Sequence, residues 1–196
     1  MMRYPPEHKS QVRERIVQSA SRRFRRRGSE NVAIADLMRD LKLTHGGFYR
    51  HFRGKEHLFN EAFLAAAADT RSRLRTIAEQ TPADRALEAI IDTYLSVRHC
   101  ANVENGCPFA ALAAEMCGHP KTTRAALDRA IRDHAAEFAR FMPGDTARER
   151  EQTAVILFAG MAGTLILARA TADETLRRQI LETARSFYMQ LLRGRT

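Results

Sequence analysis

Thr44-His45-Gly46-Gly47-Phe48-Tyr49-Arg50-His51-Phe52 is a short run with two faces. Phe48 and Phe52 stand four apart, about one helical turn, so they share a side that can be buried. Thr44, His45, Gly47, Tyr49, Arg50 and His51 are left on the other side. Thr is a residue type that caps helix N-termini, and Arg53-Gly54 closes the run. Two glycines in the first turn cost an isolated helix about 1 kcal/mol each, yet a backbone without Cβ atoms can approach another surface closely. An outward Tyr, Arg and His beside buried aromatic rings does little for packing. It is a good donor set for phosphates, and Arg also reads guanine edges.

The flanks give this run its setting. Val12, Ile16, Ala20 and Phe24 recur every fourth residue, which predicts a helix over 10–27, with Gly28 in the position of a C-terminal glycine. Ile34, Leu37, Met38 and Leu41 predict a second, short helix over 33–41. Only Lys42, Leu43 and the cap Thr44 separate it from the third, which is the spacing of a helix-turn-helix whose second helix enters the major groove. A long fourth helix is expected from Lys55, burying Leu58, Phe59, Ala62 and Phe63. Charge follows the same division. Residues 1–56 hold 14 Lys and Arg against 6 Asp and Glu, an excess of +8, whereas 57–196 are almost balanced at 18 against 17. A basic head on a near-neutral body points to a polyanionic partner such as nucleic acid or an anionic membrane.

Arg13-Glu14-Arg15-Ile16, Phe24, Arg27-Gly28, Asp36-Leu37, Leu43 to Phe52 and Lys55-Glu56 together resemble the N-terminal domain of TetR/AcrR-type transcriptional regulators. The resemblance spans about residues 10–60. It implies that Thr44, His45, Gly47, Tyr49, Arg50 and His51 contact DNA and that Lys55, at the start of the fourth helix, binds a phosphate. Two positions depart from the family pattern. Lys42 stands where a glycine is usual, and a left-handed Lys costs about 1 kcal/mol that Gly avoids. Ala33 replaces the usual Ser or Thr cap of the second helix, so that phosphate contact is expected to be lost.

Behind the head, Pro82, Gly106-Cys107-Pro108, Gly118-His119-Pro120 and Pro143-Gly144 divide the chain into helices near 83–100, 108–117, 121–141, 146–170 and 173–193. No segment alternates apolar and polar residues as a strand does. The expected architecture is all-α, with about nine helices, a helix-turn-helix domain over 1–56 and a second domain over 57–196. The resemblance gives that second domain two tasks, binding a small-molecule inducer and forming a homodimer through the last two helices. The pattern supports the second task independently. Residues 153–168 are apolar almost all round, 173–193 carry a stripe of Leu176, Ile180, Ala184, Phe187, Tyr188 and Leu191, and Gly160 and Gly163 permit close helix approach. By the resemblance, Phe63, Tyr94, Phe109, Met116, Phe138, Phe158 and Met161 lie on helices that line the inducer cavity; each is also an ordinary core residue type. An isologous dimer would present two recognition helices to a palindromic operator in double-stranded DNA. The implied role is a repressor released by inducer, with a transcriptional activator or a covalent thiol switch as alternatives.

Several classes are set aside. Residues 1–9 lack the apolar segment of a secretory signal. The apolar run 153–168 is shorter than the roughly 20 residues of a membrane span, so a cytoplasmic protein with no membrane partner is expected. Nucleophile elbow, phosphate loop, HExxH and dinucleotide turn are all absent from the sequence, so neither catalysis nor a cofactor is expected. The histidines and the three cysteines lack metal-ligand spacing, so no metal site is expected either. Cys107, between Gly106 and Pro108, is placed at a helix N-terminus, where the dipole stabilises thiolate. That permits a redox-responsive thiol; the alternative is a small buried residue sealing a loop.

Overall fold

Helix α1 (Pro6–Arg27) buries Ile16, Ala20 and Phe24 along α4 (Lys55–Glu79), whose Leu58, Phe59, Ala62 and Phe63 form the matching stripe. The computed structural model describes residues 6–193, and every regular element among them is helical. Residues 1–5 and 194–196, the ends of the two expected domains, lie outside the described residues. α1 begins a turn earlier than expected because the residues ahead of Val12 are polar and carry no periodic signal. It stops at Gly28, whose φ of 76° is left-handed and whose N–H reaches Phe24 O at 2.8 Å.

Helix α2 (Ile34–Asp40) buries Leu37 and Met38 and starts at Ala33 with no side-chain cap, as the missing hydroxyl requires. Its end is a Schellman turn. Leu43 N–H donates to Met38 O and Lys42 N–H to Arg39 O, both at 2.9 Å. Lys42 occupies the left-handed position of that turn with φ 59°. The tight turn is therefore kept without glycine, at a strain of about 1 kcal/mol.

Helix α3 (His45–Phe48) is shorter than the expected run to Phe52. Arg50 N–H and His51 N–H bond three residues back, to Gly47 O and Phe48 O, so the segment tightens into turns after one helical turn. The short helix of two glycines has little propensity to propagate. Thr44 caps it as expected, its Oγ1 accepting the Gly47 N–H at 3.3 Å.

The rest is a bundle around α4: α5 (Ala86–Tyr94), α6 (Val97–Ala101), α7 (Pro108–Leu112), α8 (Lys121–Phe138), α9 (Ala147–Ala170) and α10 (Glu174–Arg193), with 3-10 turns at Ala83–Arg85, Glu115–Gly118 and Ala139–Phe141. The expected helix over 83–100 divides because Ser96 Oγ accepts the His99 N–H at 3.1 Å and starts α6. Ten α-helices result among the described residues, where about nine were expected. Thr146 and Glu149 form a reciprocal capping box at the start of α9. At 24 residues α9 is long and apolar enough, by length and composition, to cross a membrane, longer than its 16-residue apolar run suggests. In the bundle it buries Leu157, Phe158, Met161, Leu165 and Ala168 on one side and leaves Val155, Ile156, Ile166 and Leu167 exposed on the other. Of its two glycines, Gly160 is covered by the Tyr188 hydroxyl of α10, and Gly163 faces open space.

Candidate nucleic-acid interface

Phe48 and Phe52 are 1% and 2% exposed and stack on each other at 5.4 Å, which fixes the recognition segment from its inner side. Arg13 of α1 lies over the Phe52 ring at 5.0 Å and is ion-paired with Glu61 of α4. The outer side then follows from geometry. Thr44, His45 and Arg50 are exposed, and Tyr49 is 63% exposed with its ring edge-on to His45 at 5.8 Å. Gly47 is half-buried against Thr44 and Met38. His51 is less outward than its spacing suggests. Its Nδ1 is enclosed without a partner among the described residues, and burial together with the charges of Lys9, Arg13 and Arg50 lowers its pKa. The ring is therefore neutral near pH 7.

Lys55 is the first residue of α4, and its Nζ lies 3.2 Å from Glu30 O. A cation at a helix N-terminus works against the macrodipole. Gly54 offers no side chain to cap the first N–H groups of α4. A cation beside uncapped N–H donors makes a place for an anion.

The α1 arginines are not all available to a polyanion, and here charge counting overstates the DNA face. Arg25 turns inward, its Nε donating to Glu104 O at 2.6 Å, and burial lowers its pKa to about 10. Arg26 pairs with Glu104 at 2.8 Å and Arg23 with Asp40 at 2.5 Å.

In the body, all seven residues expected around an inducer cavity are buried in one core. Phe109 is edge-on to Phe63 at 5.4 Å and to Phe158 at 4.9 Å; Tyr94 lies 6.1 Å from Phe158. The rings are in mutual contact, so a ligand among them requires their displacement. His134 carries no sequence signal that sets it apart from the other histidines. It is 4% exposed, with its ring 4.1 Å from Phe158 and 4.6 Å from Phe138.

Residues 16–62 match the family model described as bacterial regulatory proteins, tetR family, and residues 82–184 match the tetracyclin repressor-like C-terminal domain. The chain belongs to the TetR family. An uncharacterised HTH-type transcriptional regulator of Mycobacterium tuberculosis H37Rv is 29% identical over 176 residues, covering 83% of this chain and 87% of that protein. Among solved structures, a TetR transcriptional regulator from Chloroflexus aurantiacus superposes with TM-score 0.76 at 24% identity, over 94% of this chain and 97% of that one. Escherichia coli NemR in its reduced form gives TM-score 0.76 at 19% identity, over 90% and 94%. At such identities the structures establish the fold.

Within this TetR fold, the surroundings of Cys107 bear on its two readings, a responsive thiol and a buried sealing residue. Cys107 does stand at the N-cap of α7, followed by Pro108 in the first turn. It is fully buried, however, and burial pushes its thiol up despite the helix N–H groups, Tyr94 and Arg169 nearby. Desolvation outweighs the helix end, which favours the small sealing residue over a reactive thiolate. Arg169, 62 positions downstream, is a charge beside Cys107 that the local sequence does not reveal. Burial holds the His134 imidazole down at about 3, so the folded ring stays neutral where the unfolded one takes up a proton, below about pH 6.5. Stability carried by the neutral ring is complete above about pH 6.5 and lost as pH falls, by roughly 1.4 kcal/mol per unit. Urea unfolding at pH 7 and pH 5 is expected to show an acid loss about 2 kcal/mol larger in wild type than in His134→Leu; equal losses would contradict this.

Proposed function

We propose that this TetR-family chain is a repressor that binds a palindromic operator as a homodimer and is released by a small molecule entering the body. The observation that carries the reading is the exposed Thr44, His45, Tyr49 and Arg50 beside uncapped Lys55 at the start of α4. In this reading residues 1–56 act as the DNA-binding domain and 57–196 as the ligand-binding and dimerisation domain. Arg50 and His45 read base edges, while Tyr49, Thr44, His51, the Gly47 backbone and Lys55 hold phosphates. Phe63, Tyr94, Phe109, Met116, Phe138, Phe158 and Met161 are displaced by the inducer, as large apolar clusters in body helices permit. The protein works in the cytoplasm, without a membrane partner, cofactor or catalytic step.

Selection of bound sites from random duplex DNA tests this directly. Wild type is expected to enrich an inverted repeat, with affinity falling steeply as salt rises. Arg50→Ala and His45→Ala are expected to relax preference at one or two positions, at about 1–3 kcal/mol each. Enrichment of no sequence at low salt would reject the proposal, and a uniform affinity loss with unchanged preference would reject the base-reading roles.

A further inference from the structure

One side chain of the body, His119, meets the head at two separate points. Its Nδ1 lies 3.0 and 3.1 Å from the two carboxylate oxygens of Glu56, in the first turn of α4. Its Nε2 lies 3.3 Å from Glu115 Oε1 and 3.3 Å from Ser29 Oγ, in the connection between α1 and α2. Around this centre the contacts close a network. Ser29 N–H donates to Glu115 Oε1 at 2.7 Å, and Thr123 Oγ1 donates to Glu56 Oε2 at 2.8 Å. The His119 ring lies flat on Phe59 of α4, 4.6 Å away and 8° from parallel, and Phe59 meets Phe24 of α1 at 5.3 Å. The side chain of His119 is only 9% exposed.

Chain order gives these contacts their meaning. Everything that faces DNA in the reading above, from α2 through the turn and α3 to Lys55, lies between Ser29 and Glu56. The helix-turn-helix is thus gripped at both of its chain ends, by body residues four positions apart. Other polar ties, from Arg25 and Arg26 to Glu104, from Arg13 to Glu61 and from Ser21 to the Ala62 carbonyl, hold α1, ahead of that segment. On the body side, Glu115 and His119 follow directly after α7, whose Phe109 sits in the aromatic core. We propose that the Glu56–His119–Glu115–Ser29 joint sets the angle of the helix-turn-helix on the body and so determines which half-site spacing the dimer accepts. This rests on the reading of the chain as a dimeric operator-binding protein. Burial works against a proton on this ring, but the bonds to Glu56 and Glu115 outweigh burial and raise the His119 pKa.

The test uses the full-length chain and the inverted repeat that wild type selects, with one or two base pairs inserted at its centre. Each insertion turns one half-site by roughly 35° relative to the other, so a rigid dimer must discriminate strongly. Wild type is expected to lose affinity about tenfold or more on two insertions, a mismatch comparable to one or two lost base contacts. His119→Phe retains a ring to stack on Phe59 and removes both polar ends. It is expected to bind the uninterrupted site within about tenfold of wild type while its discrimination against two insertions collapses, because strain on the heads is relieved by their freedom to turn. Glu56→Gln, at a half-exposed carboxylate where loss of folding is not a concern, is expected to shift spacing preference in the same direction. Spacing discrimination in both variants equal to that of wild type would overturn the joint while leaving operator binding intact. Failure of wild type to bind any selected duplex would overturn the operator-binding reading, and the joint with it.

Discussion

Phe187→Asp is expected to yield a monomer that binds the full palindrome at least about 100-fold more weakly than wild type, since the second half-site is then no longer held at high effective concentration. The outward face of α9 and α10 carries Ile156 at 72% exposure, Leu167 at 63%, Phe187 at 57% and Leu191 at 46%. Together with Leu176 and Val155 they make an apolar surface continuous over two packed helices. Soluble chains rarely leave such patches uncovered. In an isologous dimer each Phe187 would bury a large ring, and a carboxylate in its place would be desolvated twice, at several kcal/mol. Light scattering at micromolar concentration, paired with operator binding, checks both halves of the expectation. A monomeric wild type, or a Phe187→Asp chain that remains dimeric, would move the interface off these helices.

The double variant Tyr49→Ala, Lys55→Ala is expected to weaken operator binding by roughly 30- to 1000-fold, from two contacts worth about 1–2 kcal/mol each. Neither residue holds the fold. Tyr49 projects outward with its ring against His45, and Lys55 reaches the carbonyl of Glu30. The loss should be similar for selected and unrelated sequences, because phosphate contacts carry no sequence information. Loss of the Lys55 contact alone should flatten the dependence of log affinity on log salt by about one unit. Thermal unfolding of the double variant should match wild type. Retained affinity would remove the 44–55 surface from DNA recognition; an equal loss accompanied by a lowered melting temperature would make the effect structural.

The head was legible because its information is local. Ile34, Leu37 and Met38 repeat at helical spacing, Gly28 ends α1 in the only region where glycine is favoured, and Thr44 caps a helix one turn away. Lys42 was legible as a strained position for the same reason. What failed in the head was length and orientation. Two glycines and three-residue hydrogen bonds stop α3 at Phe48, and His51 is drawn partly inward by neighbours from α1 that its own spacing does not register.

The sequence by itself determined an all-helical chain, a basic helix-turn-helix with a defined outer face, and two apolar terminal helices, since each depends on residues within a turn or two of one another. Only the tertiary structure decided which charges remain free, which polar groups are buried and where the two halves meet. Arg25 leaves the basic surface because a carbonyl 79 residues away accepts a hydrogen bond from its Nε–H. The Cys107 thiol is pushed up in pKa because the bundle closes over it, and desolvation depends on every element that packs there. The joint at His119 brings Ser29, Glu56 and Glu115 to one ring across as many as 90 positions of chain, with Thr123 on Glu56. No periodicity encodes such a meeting, because burial and electrostatics act through space.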